Sequence, residues 1–415
     1  MRWLALGAAG LMLAAACAGS SSNPASTTTT ISFWYLTDGA QADQVFQDAA
    51  KGFHAAHPDI EVQGTRLSSD TAYARMLSAL KGGGGPDAIE VSRDWVGAFS
   101  ASGGLHELSS DEVQRLGGAT AFVPGTWTTG KATTVPWFVD EKALYYRTDI
   151  LRGIGLDPAA AFAGWDALQS TLSAMQGAGQ AHPLGLGKGD ASQADDFASW
   201  VWGAGGSLVS ADGTKATINQ PLSVNGVDEY QRLAGKFSDP AVLQQSDSAV
   251  EAMFASGKFA VTFAGPRLAT QLHGNFAVAP FPPGPAGRIV YAGGSDLAIL
   301  AASKHESAAY EWARWLAGQD GETSYVPRLG MYPALAAASD SMSNVQFSAF
   351  KAQVGAGKSF PAIASWSAID SVLARYFAQV WNQVAGGGQP VPKDQLATML
   401  DKAASEMQAA IQQPS

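Results

Sequence analysis

From Ile31 onward the chain alternates between short β-rich runs and stretches whose apolar residues recur three and four positions apart. Ile31 to Leu36 predicts a strand. Val45, Phe46, Ala49, Ala50 and Phe53 then repeat at helical spacing until Pro58, which has no N–H for the helix ladder, stops the segment. Ile60 to Leu67 predicts a second strand. Asp70 is the expected cap of a helix with Tyr73, Met76, Leu77 and Leu80 on one face, ended by Gly82 to Gly85. Ala88 to Ser92 predicts a third strand. Strand, helix, strand, helix, strand is the pattern of a sheet covered on both faces, so the fold class is α/β.

The pattern continues with strand-like runs at Thr133 to Phe138 and Lys142 to Tyr146, then a helix carrying Trp165, Leu168, Leu172 and Met175. Further helices are expected over Val224 to Phe237, around Val250, Met253 and Phe254 up to Gly257, and over Ala308 to Leu316. Phe259 to Phe263 and Leu297 to Leu300 predict strands. The tail is helical from Trp366 to Val384 and from Asp394 to Ile411, where Leu396, Met399, Leu400, Ala403 and Met407 form a stripe. No repeat of fixed period is visible.

The first residues break this pattern. Arg2 precedes an apolar run from Trp3 to Ala16, which is too short for a membrane-spanning helix and ends in small residues, so residues 1–16 are expected to be a removable export signal. Cys17 follows and resembles the lipidation site of bacterial lipoproteins, although Ala14 stands where that pattern prefers Leu. An ordinary Ala14-x-Ala16 cut would break the same bond and release a soluble protein. Residues 17–30, rich in Ser and Thr with no apolar period, read as a flexible tether. The expected location is outside the cytoplasm, held at the outer face of the cell membrane through lipidated Cys17.

Composition narrows the function. With 26 Lys plus Arg against 36 Asp plus Glu the net charge is −10, and −11 once Arg2 leaves with the signal. Such a chain lacks the phosphate attraction on which nucleic-acid binding rests, so no nucleic-acid partner is expected. A single cysteine excludes an intrachain disulfide framework and a cysteine-rich zinc site. The six histidines form no metal-ligand motif. Gly82 to Gly85 lacks the Gly-Lys-Ser/Thr of a phosphate loop, and Ser78-Ala-Leu-Lys81 lies on a core helix. Asp140-Glu141 and Asp195-Asp196 are adjacent acids, and neighbours on a strand face opposite ways, so neither doublet alone makes a glycosidase pair. Acids from distant segments remain free to meet. No metal, cofactor or catalytic group is expected.

Several segments in order resemble one family. Ile31-Ser-Phe-Trp-Tyr, Phe53-His-Ala-Ala-His-Pro-Asp-Ile-Glu-Val and Gly85-Pro-Asp-Ala-Ile-Glu-Val-Ser-Arg-Asp-Trp are similar to the opening of bacterial extracellular solute-binding proteins of the maltose-binding type (family 1). Val135-Pro-Trp-Phe-Val-Asp-Glu-Lys-Ala-Leu-Tyr-Tyr-Arg, Gly155-Leu-Asp-Pro, Trp202-Gly-Ala-Gly-Gly, Phe254-Ala-Ser-Gly-Lys-Phe-Ala-Val, Gly265-Pro-Arg, Gly293-Gly-Ser-Asp-Leu-Ala-Ile and Leu329-Gly-Met-Tyr-Pro-Ala follow in the family's order. Each is weak alone. Together they cover nearly all of the chain beyond the tether.

The resemblance implies a two-lobed periplasmic-binding-protein fold (type II) with a multi-strand hinge. Lobe one would take residues 31–138 and 296–331, lobe two residues 141–292 and 333–411, and the Gly293-Gly294 pair would precede a strand at the crossing. It also implies a monomeric receptor that captures a carbohydrate or sugar derivative and hands it to the permease of an ABC importer. Matched family positions give the ligand candidates: Trp34, Tyr35, Thr37, Asp38, Asp94, Trp95, Trp137, Asp140, Glu141, Trp202, Arg267, Ser295, Asp296, Tyr332 and Trp366. Aromatic faces suit the C–H faces of sugars, and acids or Arg suit their hydroxyls. Trp165, Trp312, Trp315 and Trp381 recur on helical apolar faces and are expected in the core. Where many relatives carry an aromatic residue, this chain has Ser295 and Arg267, which favours a more polar ligand such as an anionic sugar derivative or a glycerophosphodiester. A secreted carbohydrate-active enzyme and a surface adhesion protein are the rival classes.

Overall fold

The computed structural model describes residues 28–36, 41–82, 84–127, 131–189, 194–343 and 347–413. The expected export signal, Cys17, most of the expected tether, Thr37 and Asp38 lie outside them. Strand β1 (Thr29–Tyr35), helix α1 (Ala42–Ala56), β2 (Ile60–Arg66), α2 (Ser69–Gly82) and β3 (Ala88–Ser92) follow the expected alternation. β1 pairs in parallel with both β2 and β3, an arrangement that needs a helical crossover between strands. α1 buries Val45, Phe46, Ala49 and Phe53 on one stripe, with Asp43 in its first turn and His54 in its last, as its dipole favours. Asp70 is not the cap of α2 but lies in its first turn. Ser68 opens the helix, its carbonyl accepting from the Ala72 N–H at 2.9 Å.

The later strands are β4 (Val135–Glu141), β5 (Ala143–Arg147), β6 (Leu184–Gly185), β7 (Val261–Ala264), β8 (Phe276–Ala279), β9 (Val290–Ile299), β10 (Tyr332–Pro333) and β11 (Gly357–Lys358). The first sheet runs β10-β4-β9-β3-β1-β2, with β11 paired to β9; the second runs β6-β7-β5-β8. Each has its own core. A 3-10 turn (Arg93–Trp95) leads from β3 into α3 (Val96–Ala101). The helices that carry the second core are α4 (Trp165–Gly177), α5 (Ala194–Gly203) and α6 (Pro221–Phe237). In the tail, α7 (Glu306–Leu316) returns to the first sheet, and α8 (Trp366–Gly387) and α9 (Lys393–Gln412) to the second core.

In the first core Trp312 on α7 meets Phe33 and Phe53 edge-on at 5.7 and 5.2 Å. In the second, Phe197 stacks on Phe377 at 4.1 Å and Trp200 on Tyr230 at 5.3 Å. Fully burying a large apolar side chain of this kind contributes about 1.5–3 kcal/mol, so these rings fix α5, α6 and α8 to one another. Trp165, Trp312 and Trp381 are buried as expected, and Trp315 packs half-buried against the first core. Helix α5 had no sequence signal because nine of its ten residues are buried and no polar face breaks the pattern.

Only Lys142 separates β4 of the first sheet from β5 of the second. β9 is ten residues long, well beyond the expected Leu297 to Leu300, and spans the same junction. The Gly293-Gly294 pair lies inside this strand rather than before it, opposite Asp140 and Val139. β4 carries a register shift between Pro136 and Phe138, and the chain closes over it at Gly294. Gly294 has φ +116°, and a Cβ there would lie 2.2 Å from the Phe138 carbonyl oxygen, so only glycine fits this crossing.

Candidate functional site

The two bodies meet where the Arg93–Trp95 turn and α3 pack against the start of α8. The approach is close: a Cβ on Gly97 would lie 2.5 Å from the backbone nitrogen of Ile363. Ser359 lies at the same place, its hydroxyl donating to the Ala292 carbonyl at 2.6 Å with the Gly125 carbonyl 3.2 Å away. At this seam Asp94, on the first body, faces Asp195 of α5 and Asp370 of α8, on the second. Burial pushes the Asp94 carboxyl up to about 6, opposed by the hydrogen bond from the Ser92 hydroxyl and reinforced by Asp370. Burial likewise holds Asp195 well above the usual carboxylate range, with Asp94 and Asp370 adding to it.

Aromatic rings flank these acids. Trp366 stacks on Phe360 at 4.3 Å, Tyr291 lies 4.5 Å from Phe360, and Trp202 lies 5.9 Å from it. Tyr291 stands within electrostatic reach of all three carboxylates, which ties the rings to the acids. The Lys358 ammonium sits 4.7 Å over the Trp202 ring. Trp366 is 1% exposed, and its indole N–H has no partner. Asp94, Trp202 and Trp366 are thus brought together. Asp195, Asp370, Tyr291 and Phe360 join them without having been singled out from sequence; only the Asp195-Asp196 doublet had drawn notice.

A second group of expected ligand residues lies in the junction strands. The Arg93 guanidinium donates to Asp296 Oδ1 from Nε and Nη2 at 3.1 and 3.0 Å, to the Phe138 carbonyl at 3.0 Å and to the Gly293 carbonyl at 2.5 Å. Asp296, fully buried, also accepts from the Thr134 hydroxyl at 2.8 Å. Asp296 therefore serves the junction, and Ser295 beside it is buried in the β3–β9–β4 ladder. Asp140 is raised by burial, which Arg267 and Lys142 oppose, while Arg267 Nε is buried without a partner. Lys142 is gripped by Asp196 and by Asp247 at 2.5 Å. Tyr332 is buried, its hydroxyl accepting from Ser339 at 2.9 Å.

The remaining candidates sit in the first core or on its flank. Tyr35 and Trp137 are buried, Tyr35 donating its hydroxyl to Asp43 at 2.8 Å. Half-buried Trp34 lies under Arg75 at 4.6 Å, and Trp95 meets Tyr73 edge-on at 5.3 Å. Their neighbours are those of core and helix packing. Among the described residues no cluster of His, Cys, Asp or Glu is arranged to hold a metal ion, and no helix is long and apolar enough to cross a membrane.

Glu141 is buried at the end of β4. Its Oε2 accepts from the Gln353 amide at 3.2 Å, and its Oε1 has no partner. Burial pushes its carboxyl up to about 8, against the Gln353 hydrogen bond and Arg93. The folded chain therefore holds a proton that the unfolded chain releases above its ordinary value of 4.5. Its contribution to stability is complete below that value and is lost as pH rises towards 8. Glu141→Gln is expected to flatten the fall in melting temperature between about pH 5 and pH 8. Parallel melting profiles of variant and parent would count against this.

Residues 34–323 match the family model described as bacterial extracellular solute-binding protein. The chain is 26% identical over 407 residues to the diacetylchitobiose binding protein DasA of Streptomyces coelicolor, covering 88% of this chain and 90% of that protein. It is 27% identical over 230 residues to a probable ABC transporter-binding protein of Deinococcus radiodurans, where it spans about half of that relative, 54%. In structure it matches the sugar-binding protein MalE of Xanthomonas citri with a TM-score of 0.78 at 23% identity, over 92% of this chain and 98% of that one. Two sheets joined by crossing strands are the fold that this likeness shares. The chain belongs to the bacterial extracellular solute-binding protein family, whose members work outside the cytoplasm.

Proposed function

We propose that this protein is the non-catalytic receptor of an ABC importer and captures a neutral carbohydrate by closing its two lobes over it. The observation that carries this is the seam itself: Asp94 from one side, Asp195 and Asp370 from the other, beside the Trp366, Phe360, Tyr291 and Trp202 rings. Ionised carboxylates accept from sugar hydroxyls in plane, and aromatic faces cover C–H surfaces. Contacts drawn from both lobes exist only when the lobes are closed, so ligand shifts the population towards closure. DasA, similar over most of its length, is by name a diacetylchitobiose binder. The charge at the seam is the reverse of what an anionic ligand needs, and Arg267 lies beside Asp140 instead. A neutral saccharide is therefore favoured over a glycerophosphodiester.

In this reading lobe one comprises residues 31–138 and 296–331, and lobe two residues 141–292 and 333–411. Cys17 carries the lipid, residues 17–30 hold the receptor clear of the membrane, and the protein acts as a monomer at its permease. A thermal-shift screen over mono- and disaccharides, polyols and glycerophosphodiesters tests the reading. At about 100 times its dissociation constant a neutral sugar is expected to stabilise the chain by roughly 2.7 kcal/mol, with no turnover. No shift with any sugar would sink it, and so would release of product.

A further inference from the structure

Strand β11 is held on both sides of Lys358. Before it, Gly357 pairs with Val290 of β9 and lies against the first body, where a Cβ on Gly125 would be 3.0 Å from the Gly357 carbonyl oxygen. After it, the Ser359 hydroxyl donates to the Ala292 carbonyl at 2.6 Å. Lys358 itself stands opposite Tyr291 in the ladder, and its ammonium lies 4.7 Å over the Trp202 ring. Trp202 meets Phe360 at 5.9 Å, and Phe360 meets Tyr291 at 4.5 Å and Trp366 at 4.3 Å, so the cation sits at the edge of an aromatic cluster. The nearby cations Arg93 and Lys142 are gripped by Asp296 and by Asp196 with Asp247. Lys358 differs from them. It is exposed, and among the described residues no carboxylate pairs with it. Desolvation alone acts on its ammonium, lowering its pKa below the ordinary lysine value.

We infer that Lys358 is a ligand-binding residue that sets sugar preference: its ammonium donates to an oxygen of the saccharide seated at the Trp202, Phe360 and Trp366 rings, so the site favours sugars with an acceptor oxygen at that edge. Aromatic faces cover C–H surfaces, and ionised carboxylates only accept. The oxygens of a bound sugar therefore need donors, and an ammonium offers three with no lone pair of its own. An ammonium already partly stripped of water and unmatched by an acid gives up little on meeting a sugar oxygen, and a hydrogen bond from a charged donor is stronger than one between neutral groups. Because the strand is fixed on both sides of Lys358, the root of the donor is in place before the sugar arrives, which lowers the cost of ordering it. A sugar lacking that oxygen leaves the ammonium desolvated and without a partner, which is how a built donor rejects a deoxy analogue. This role rests on the interlobe site proposed above and concerns which sugar that site prefers.

The mono- or disaccharide that gives the full chain its largest thermal shift is the probe, and titration calorimetry is the test. Lys358→Met, which keeps an unbranched stem over Trp202, is expected to melt close to the parent and to bind that sugar about tenfold or more weakly, the worth of a hydrogen bond to a charged group. Among monodeoxy analogues of the probe, one is expected to bind the parent weakly and to lose nothing further in Lys358→Met, because both changes remove the same contact. Should Lys358→Met fail to fold, Lys358→Ala carries the same expectations. Equal or tighter binding by a folded variant, or monodeoxy analogues that all lose as much in the variant as in the parent, overturns the inference and leaves the sugar reading intact. A parent that binds no sugar overturns both, and the thermal shift of the parent alone tells that case apart.

Discussion

Arg93→Ala is expected to cost about 3–5 kcal/mol of folding stability, because it removes one partner of a buried ion pair and leaves the other charge unpaired. Arg93 is 5% exposed and Asp296 fully buried. The guanidinium also caps the Phe138 and Gly293 carbonyls, which sit where β4 and β9 run towards the second sheet. With Arg93 gone, Asp296 keeps, among the described residues, only the Thr134 hydroxyl as a side-chain donor. Lysine would not rescue it, since a single ammonium cannot span Asp296 and two carbonyls as a planar fork does. Urea denaturation measures the effect. Arg93→Met with Asp296→Leu is expected to recover part of the loss, because no charge is then left buried. A single-variant loss under about 1 kcal/mol would mean that water or a rearranged donor replaces the guanidinium.

Trp366→Ala is expected to lose stability and ligand response together. A fully buried tryptophan truncated to alanine costs about 3–5 kcal/mol, part of it the cavity left against Phe360. Trp366→Phe keeps a ring on Phe360 and is expected to lose much less, yet it removes the indole N–H. If that N–H meets a ligand oxygen, the Phe variant folds near the parent's stability and still binds its best sugar about tenfold or more weakly, the worth of one such hydrogen bond. Equal affinity in Trp366→Phe would confine Trp366 to packing. The comparison separates the two roles because one variant removes volume and the other only a donor.

The sequence made much of the fold readable. β1, α1, β2, α2 and β3 follow from local periodicity, and Pro58 and Gly82 stop their helices for backbone reasons that need no partner. β8 and α5 were not readable. Phe276–Ala279 is four small and apolar residues, and α5 is buried on nearly every side, so neither has a polar face to set a period. The extent of β9 was hidden by Gly293-Gly294, which reads as a break but is a strand segment where β4 comes too close for a side chain.

The candidate site divided in the same way. Asp94, Trp202 and Trp366 were singled out by their place in the family's order of segments, and the structure brings them to the seam. Asp195 and Asp370 were not, because nothing in Asp195-Asp196 or in the α8 stripe says which neighbour an acid meets. Asp296 and Glu141 illustrate the converse. Their sequence context suits a ligand contact, and the structure places both, buried, in the strands of the junction.

By itself the sequence determined the class: an α/β chain with a single cysteine and so no intrachain disulfide framework, ordered like a solute-binding protein. These follow from composition and from short-range periodicity, which every segment carries whatever its surroundings. Only the tertiary structure decided which acids face one another, which rings stack beside them and which carboxyls burial pushes above their ordinary range. Asp94, Asp195 and Asp370 lie far apart along the chain. Their distance, and so their charge interaction and desolvation, is set by how β4, β9 and the start of α8 bring two separate cores together.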